Sequence, residues 1–245
     1  MQKRLIIFLS VFYLAVGLNL PPEFKRCKRV GINECLKGAI QDALPRLEKG
    51  LPEFNFQPLQ PLNIPSITVG EGKSAVNVVQ NFNNINIYNI PSSTINKAEV
   101  EFSGTTFTIT IESLIKEIRI EAEYNFNGKI LLLPIVGNGN AFVKMINVVT
   151  TITLHGEEIQ KKGTTYGDIK KVNLNFAPEK IEFRLDNLFG GNERLANEMN
   201  QVLNDNWKEV WEDTREGYEE ALSLIFQDIT NKIMKKVPFQ NLIMN

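Results

Sequence analysis

Between Ile67 and about Leu185, apolar residues return at every second position, and this pattern excludes most folds open to the chain. Ile118, Ile120, Ala122, Tyr124 and Phe126 alternate with Glu117, Arg119, Glu121, Glu123 and Asn125, which describes a strand with one dry and one wet face. The alternation recurs in Phe107, Ile109 and Ile111, in Ile146, Val148, Thr150, Ile152 and Leu154, and in Val172, Leu174 and Phe176. Ser103-Gly104, Asn127-Gly128, Gly137-Asn138-Gly139, His155-Gly156 and Gly163 read as the turns between these strands. Long antiparallel strands joined by hairpins follow, since a parallel sheet would need crossover helices that this stretch has no room for.

On either side the pattern changes. Eight of the eleven prolines lie at or before Pro91, and Leu51–Pro65 is too rich in them for a helix or a central strand, so an extended connector is expected. Ahead of it, Asn33 can cap a helix from Glu34 to about Lys49 with Leu36, Ile40, Leu44 and Leu47 on one face, a kink at Pro45 and a stop at Gly50. After it, the 59 residues between Pro178 and Pro238 contain no proline. Leu195, Met199, Val202, Trp207, Val210, Trp211, Tyr218, Leu222, Ile225, Ile229, Ile233 and Val237 form a stripe spaced mostly by three or four. One helix over about 193–237 is the economical reading; at 1.5 Å per residue it is roughly 65 Å long. Thr214 and Gly217 break any heptad, so a coiled coil is disfavoured and Gly217 is the expected bend. So long a helix needs covering, and the amphipathic strands supply it.

Charge and composition remove several functions. With 27 Lys+Arg against 28 Asp+Glu there is no basic surplus to bind a phosphate backbone, so nucleic acid is not an expected partner. One histidine and two cysteines are too few for an ordinary zinc site, and no metal or cofactor is expected. Residues 1–17 place Lys3 and Arg4 before an apolar run and end on Ala15 and Gly17, the layout of an export signal. The run is shorter than the roughly 20 residues a membrane span requires, and no transmembrane segment is expected elsewhere. The exported domain would be 18–245, and a monomer is expected. Outside the cell Cys27 and Cys35 are expected to form a disulfide that ties the N-terminal segment to the first helix. No N-x-S/T sequon occurs.

Motifs that carry chemistry are incomplete. Gly72-Lys73-Ser74 has the end of a phosphate loop, but Ile67 stands where its first glycine is needed. Gly137-Asn138-Gly139 begins a dinucleotide fingerprint, but Phe142 occupies the third glycine position. His155 is the only histidine base, no G-x-S-x-G is present, and a turn beside Gly156 is expected to leave His155 solvated, so no catalytic residue is assigned. The pairs Glu157-Glu158 and Glu219-Glu220 read as solvated faces. Lys161-Lys162 and Lys170-Lys171 flank one hairpin as surface charge or as a contact for a receptor or anionic lipid.

The segments LPPEFKRCKRVGINECLKGAI at 20–40 and LEKGLPEFNFQPLQPLNIPSI at 47–67 resemble the opening of the insect takeout/juvenile-hormone-binding proteins. LLLPIVGNGN at 131–140, the Asn-rich strand around 80–90 and the long helix before Pro238-Phe239 continue the resemblance over almost all of the exported chain. With only two cysteines, the resemblance is to the takeout branch, since the hormone carriers proper typically have a second disulfide. It implies an α+β fold, a long helix wrapped by a highly curved antiparallel sheet as in tubular lipid-binding domains. It also implies a secreted carrier with an internal tunnel, from a family associated with feeding, circadian output, olfaction and hormone transport.

The expected partner is therefore a small hydrophobic ligand held in haemolymph or another extracellular fluid. The expected lining is Phe102, Phe107, Ile109, Tyr124, Phe126, Phe142, Ile146, Val148, Phe176 and Phe183 from the sheet, with Trp207, Trp211, Tyr218 and Ile225 from the helix. Tyr124, Tyr166 or Tyr218 would orient a polar head. Two rivals are a secreted interaction protein acting through its surface on a receptor, and a secreted hydrolase that would need His155.

Overall fold

A computed structural model describes residues 18–244, so the expected export segment at 1–17 lies outside the described residues. In chain order the elements are β1 (Cys27–Lys28), α1 (Ile32–Arg46), β2 (Leu62–Val69), β3 (Val76–Asn77), β4 (Gln80–Tyr88), β5 (Thr94–Ser103), β6 (Thr106–Ile130) and β7 (Leu133–Lys161). They continue with β8 (Thr164–Ala177), β9 (Lys180–Leu185), α2 (Glu193–Asp205), α3 (Trp207–Met234), α4 (Phe239–Leu242) and β10 (Ile243–Met244).

β6 and β7, 25 and 29 residues long, pair from Thr106↔Glu157 to Ile130↔Leu133. Strands of this length accumulate the right-handed twist of every β-ribbon, and the sheet coils about its own inner face. The order is β2-β4-β6-β7-β8, with β3 and β5 also on β6 and β9 also on β7. The fold is thus α+β, a large curved antiparallel sheet with a long helix against it.

Two of the five expected turns are hairpin tips, after Ser103 and at Lys162-Gly163. Asn127-Gly128, Gly137-Asn138-Gly139 and His155-Gly156 instead lie inside β6 and β7. Their glycines make room for other parts of the fold. A Cβ on Gly139 would stand 2.5 Å from the Asp186 carbonyl oxygen, and one on Gly156 would enter the Phe107 ring. The reversal between β6 and β7 falls on Leu131 and Leu132, at φ 50° and 67°. Two-residue hairpins need such left-handed pairs, but leucine carries no sequence signal for them.

Midway along both strands the inner face shifts by one residue. Ile115 and Ile118 are both buried, as are Met145 and Val148, and Asn147 sits between the latter pair with φ 47°. The shift leaves Ile146 with Phe142 and Lys144 on the outer face, beside Glu117, although the plain alternation groups it with Val148.

A sheet edge carries unpaired N–H and C=O groups, and on β5, β8 and β9 these are met by side chains from helices. Asn200 and Asn204, one turn apart on α2, each pair both backbone groups of a β9 residue. The Asn204 amide accepts from Phe183 N (2.7 Å) and donates to Phe183 O (2.8 Å). Asn200 does the same for Leu185 at 2.8 and 3.0 Å. On α3, a row spaced by four serves β8: Glu219 accepts from Phe176 N, Ser223 from Leu174 N and Asn231 from Ile169 N, while Gln227 donates to the Ile169 carbonyl. On α1, Asn33 and Gln41 accept from Val100 N and Ile95 N of β5. The helices therefore dock in the register of the strands they seal.

Several expected helix details are corrected by this docking. Asn33 spends its side chain on β5, and the cap position falls to Gly31 with φ 71°. α1 ends at Arg46, one residue after Pro45. The long C-terminal helix breaks at Asn206, whose amide turns back to Val202 O at 2.8 Å. Gly217 stays helical, and a Cβ there would stand 2.7 Å from Val69 Cγ1 of β2. The proline connector forms a short turn at Pro52–Phe54, then enters β2 at Leu62. Pro65 lies within β2, at the sheet border, where its missing N–H costs no ladder bond.

The Cys27–Cys35 disulfide joins β1 to α1, and β1 pairs in parallel with β10, so both ends of the described chain meet. No helix among the described residues is long and apolar enough to cross a membrane.

Candidate ligand cavity

α3 lies along the inner face of the sheet, between β8 on one side and β2 on the other, and beside it a cavity of about 120 Å³ remains unfilled. Ile67, Phe82, Ile85 and Ile87 form its wall on β2 and β4, with Ile120, Ala122, Phe126 and Ile130 on β6 and Ala141, Val143 and Met145 on β7. Phe176, Phe183 and Leu185 complete the sheet side, while Leu203, Val210, Trp211, Thr214, Tyr218 and Leu222 face them from the helices. Among the described residues, none of the lining side chains is charged.

Five of the expected residues surround this cavity: Phe126, Phe176, Phe183, Trp211 and Tyr218. Trp211 packs against Phe176 at 4.9 Å between ring centroids and stacks near Tyr218 at 6.2 Å. The other nine stand elsewhere. Tyr124 is buried behind Phe126 and donates to the Asp186 carbonyl (2.7 Å); burial, aided by the Asp186 carboxylate, pushes its hydroxyl up to about 12. Val148 and Ile225 belong to the same core but do not reach the cavity. Phe102, Phe107 and Ile109 pack near Phe239 and α1 at another end of the sheet. Phe142 lies outside beneath Arg184, 3.9 Å from its ring centroid, and Ile146 shares that outer face. Trp207 is half-buried beside Lys180.

The sequence pattern missed the β4 wall and Gln80. Phe82, Ile85 and Ile87 do not alternate cleanly, because the register shifts between Asn83 and Asn86. Trp211, Thr214, Tyr218 and Leu222 follow helical spacing, but Thr214 hides the continuity of the row. Its hydroxyl is satisfied within the helix, donating to Val210 O at 2.9 Å, so a threonine is tolerated on the apolar face.

Gln80, 6% exposed, opens β4 at the cavity wall. The Tyr218 hydroxyl donates to its Oε1 at 2.5 Å. Burial pushes that hydroxyl well above the ordinary tyrosine range, so it keeps its proton. On the same helix as Tyr218, the Asp213 carboxylate accepts from the backbone N–H groups of Lys73, Ser74, Ala75 and Val76 at 2.8–2.9 Å and from Ser74 Oγ at 3.0 Å. The incomplete phosphate loop thus closes its amides on a carboxylate of the same chain. Burial raises the Asp213 pKa, but the bonds from Val76, Ser74 and Ala75 outweigh it, and the carboxyl rests below its usual range.

The remaining candidate chemistry is dispersed. His155 lies on β7 rather than in a turn, half-buried, with Nδ1 3.4 Å from Thr108 Oγ1 and Nε2 3.1 Å from Asn173 Nδ2. Glu157 meets Lys170 and Glu158 meets Arg29. Glu219 is part of the β8 seal rather than a solvated face; burial raises its pKa and the Phe176 N–H bond counters part of that rise. Tyr166 stands near Lys161 and bridges to Pro238, away from the cavity.

Comparison with known proteins gives a consistent result. Residues 6–244 match the model of the family described as haemolymph juvenile hormone binding protein. The circadian clock-controlled protein daywake of Drosophila yakuba is 25% identical over 227 residues, 90% of this chain and 87% of that protein. Its counterpart in Drosophila melanogaster is 25% identical over 248 residues, 94% and 95% of the two chains. The crystal structure of Takeout 1 from Epiphyas postvittana superposes with a TM-score of 0.80 at 23% identity, covering 90% of this chain and 99% of that one.

Proposed function

The chain belongs to the haemolymph juvenile hormone binding protein family, and we propose that it is an exported carrier holding a small hydrophobic ligand between its sheet and α3. The observation that carries this reading is the uncharged cavity, lined by apolar side chains apart from Gln80, Thr214 and Tyr218. Water gains little in such a space, whereas an apolar guest leaves its own hydration behind at about 25 cal/mol per Å².

The volume of about 120 Å³ is smaller than the usual 300–1,000 Å³ of ligand pockets. A single ring or a short chain fits it as it stands. A longer guest enters by displacing side chains such as Met145 and Leu222, which turn without moving backbone. Family membership and the Cys27–Cys35 disulfide support an extracellular setting.

The test is titration with a lipophilic fluorophore such as N-phenylnaphthylamine. A saturable rise in emission, reversed by undecane, is expected. Emission that grows linearly without saturation would overturn the carrier reading and leave the surface-acting alternative.

A further inference from the structure

Among the described residues three polar side chains reach the cavity, and two have already spent their hydrogens: Thr214 donates to Val210 O and Tyr218 donates to Gln80 Oε1. Gln80 Nε2 is buried and has no hydrogen-bond partner among the described residues. A buried donor left without an acceptor costs about 1–3 kcal/mol, so its persistence at a cavity wall calls for a partner from outside the protein. The orientation of the amide is set by Tyr218. A protonated hydroxyl must find an acceptor, so the amide oxygen faces it and the NH2 group is left over.

Resting on the carrier reading above, we infer that Gln80 is the polar anchor of the cavity, its Nε2 donating to a carbonyl oxygen of a neutral, otherwise hydrocarbon ligand. Neutrality follows from the lining. Among the described residues no lysine or arginine reaches the cavity, so a carboxylate would exchange its hydration for one uncharged amide. A pure hydrocarbon would leave the Nε2 donor unpaired. Gln80 and Tyr218 thereby act as a unit: the hydroxyl holds the amide and the amide holds the ligand.

The experiment compares methyl nonyl ketone with undecane, similar in length and differing in one carbonyl, on the wild type and on Gln80→Met. Comparing ratios cancels the different hydration of the two ligands. The ketone-to-alkane affinity ratio should fall about fivefold in the double variant Gln80→Met/Tyr218→Phe, which removes both donors, the loss expected for one buried hydrogen bond. In Gln80→Met alone the freed Tyr218 hydroxyl can itself donate to the ketone, so the fall there should be smaller than in the double variant. On the wild type alone, the infrared band of an isotope-labelled ketone carbonyl should lie below its position in hexane. Undecanoic acid at neutral pH should compete less well than the ketone.

Uptake of both ligands with an unchanged ratio and an unshifted carbonyl band would overturn the anchor while leaving the carrier reading intact. Tighter binding of undecanoate would overturn the neutral class. Failure of the wild type to take up either ligand would sink both the carrier reading and the anchor.

Discussion

Replacing Asp213 by Asn tests how the β2–β3 loop is held on α3. One carboxylate oxygen accepts from Lys73 N, Ser74 N and Ser74 Oγ, the other from Ala75 N and Val76 N. Asparagine keeps one acceptor oxygen and turns an NH2 group toward donors that have nothing else to meet. The Ala75 and Val76 bonds are the more buried pair, and a hydrogen bond to a charged acceptor is worth about 1.5–3 kcal/mol, so the expected cost is about 3 kcal/mol. For a chain of this size that lowers the unfolding temperature by roughly 6–12 °C. The pH dependence has a definite sign. Because the folded pKa of Asp213 lies below its unfolded value of about 3.9, its contribution is fully present above that value and is lost as pH falls through the folded pKa. The gap between wild type and Asp213→Asn should be constant at neutral pH and narrow only in acid. Thermal melts followed by circular dichroism at several pH values measure both quantities. Equal melting temperatures at neutral pH, or a gap that does not narrow in acid, would refute the latch.

Two further outcomes follow from the edges and the cavity. Asn200→Ala with Asn204→Ala should destabilise by about 3 kcal/mol by orphaning backbone groups of Phe183 and Leu185, and should speed hydrogen exchange at those amides. Slow exchange at both amides in the double variant would show that β9 does not depend on α2. Ala122→Phe places a ring in the cavity and should weaken uptake of a lipophilic probe at least about tenfold, whereas Phe142→Ala on the outer face should leave it unchanged. A reversal of that order would place the ligand on the wrong side of the sheet.

Much of the fold is written in local periodicity. The two-residue alternation marks β6, β7 and β8, and the three-to-four spacing marks α2 and α3, because each face must satisfy one neighbour over many residues. Local rules fail where distant segments meet. Gly128, Gly137 and Gly139 look like turns, but their lack of a side chain serves Val78, Leu188 and Asp186. Leu131 and Leu132 look like strand, but they form the turn at which β6 ends and β7 begins. Asn33 looks like a helix cap, but β5 claims it.

The same logic divides the candidate site. Phe126, Phe176, Phe183, Trp211 and Tyr218 could be anticipated because they sit on well-patterned elements near the middle of the sheet. Phe142 and Ile146 could not be placed, since the half-way shift of the inner face is invisible in an apolar run. Gln80 carries no local mark at all. Its interest comes from a nitrogen left over after Tyr218 is satisfied, which only the assembled core reveals.

The most direct measurement uses Trp211, which lines the cavity, as the sole tryptophan in a Trp207→Phe variant. Titration with undecyl bromide, whose heavy atom quenches only at close range, should extinguish Trp211 emission saturably at one ligand per chain, with undecane restoring it. Emission that is unaffected, or that declines without saturation and is not restored, would contradict a ligand held between the sheet and α3.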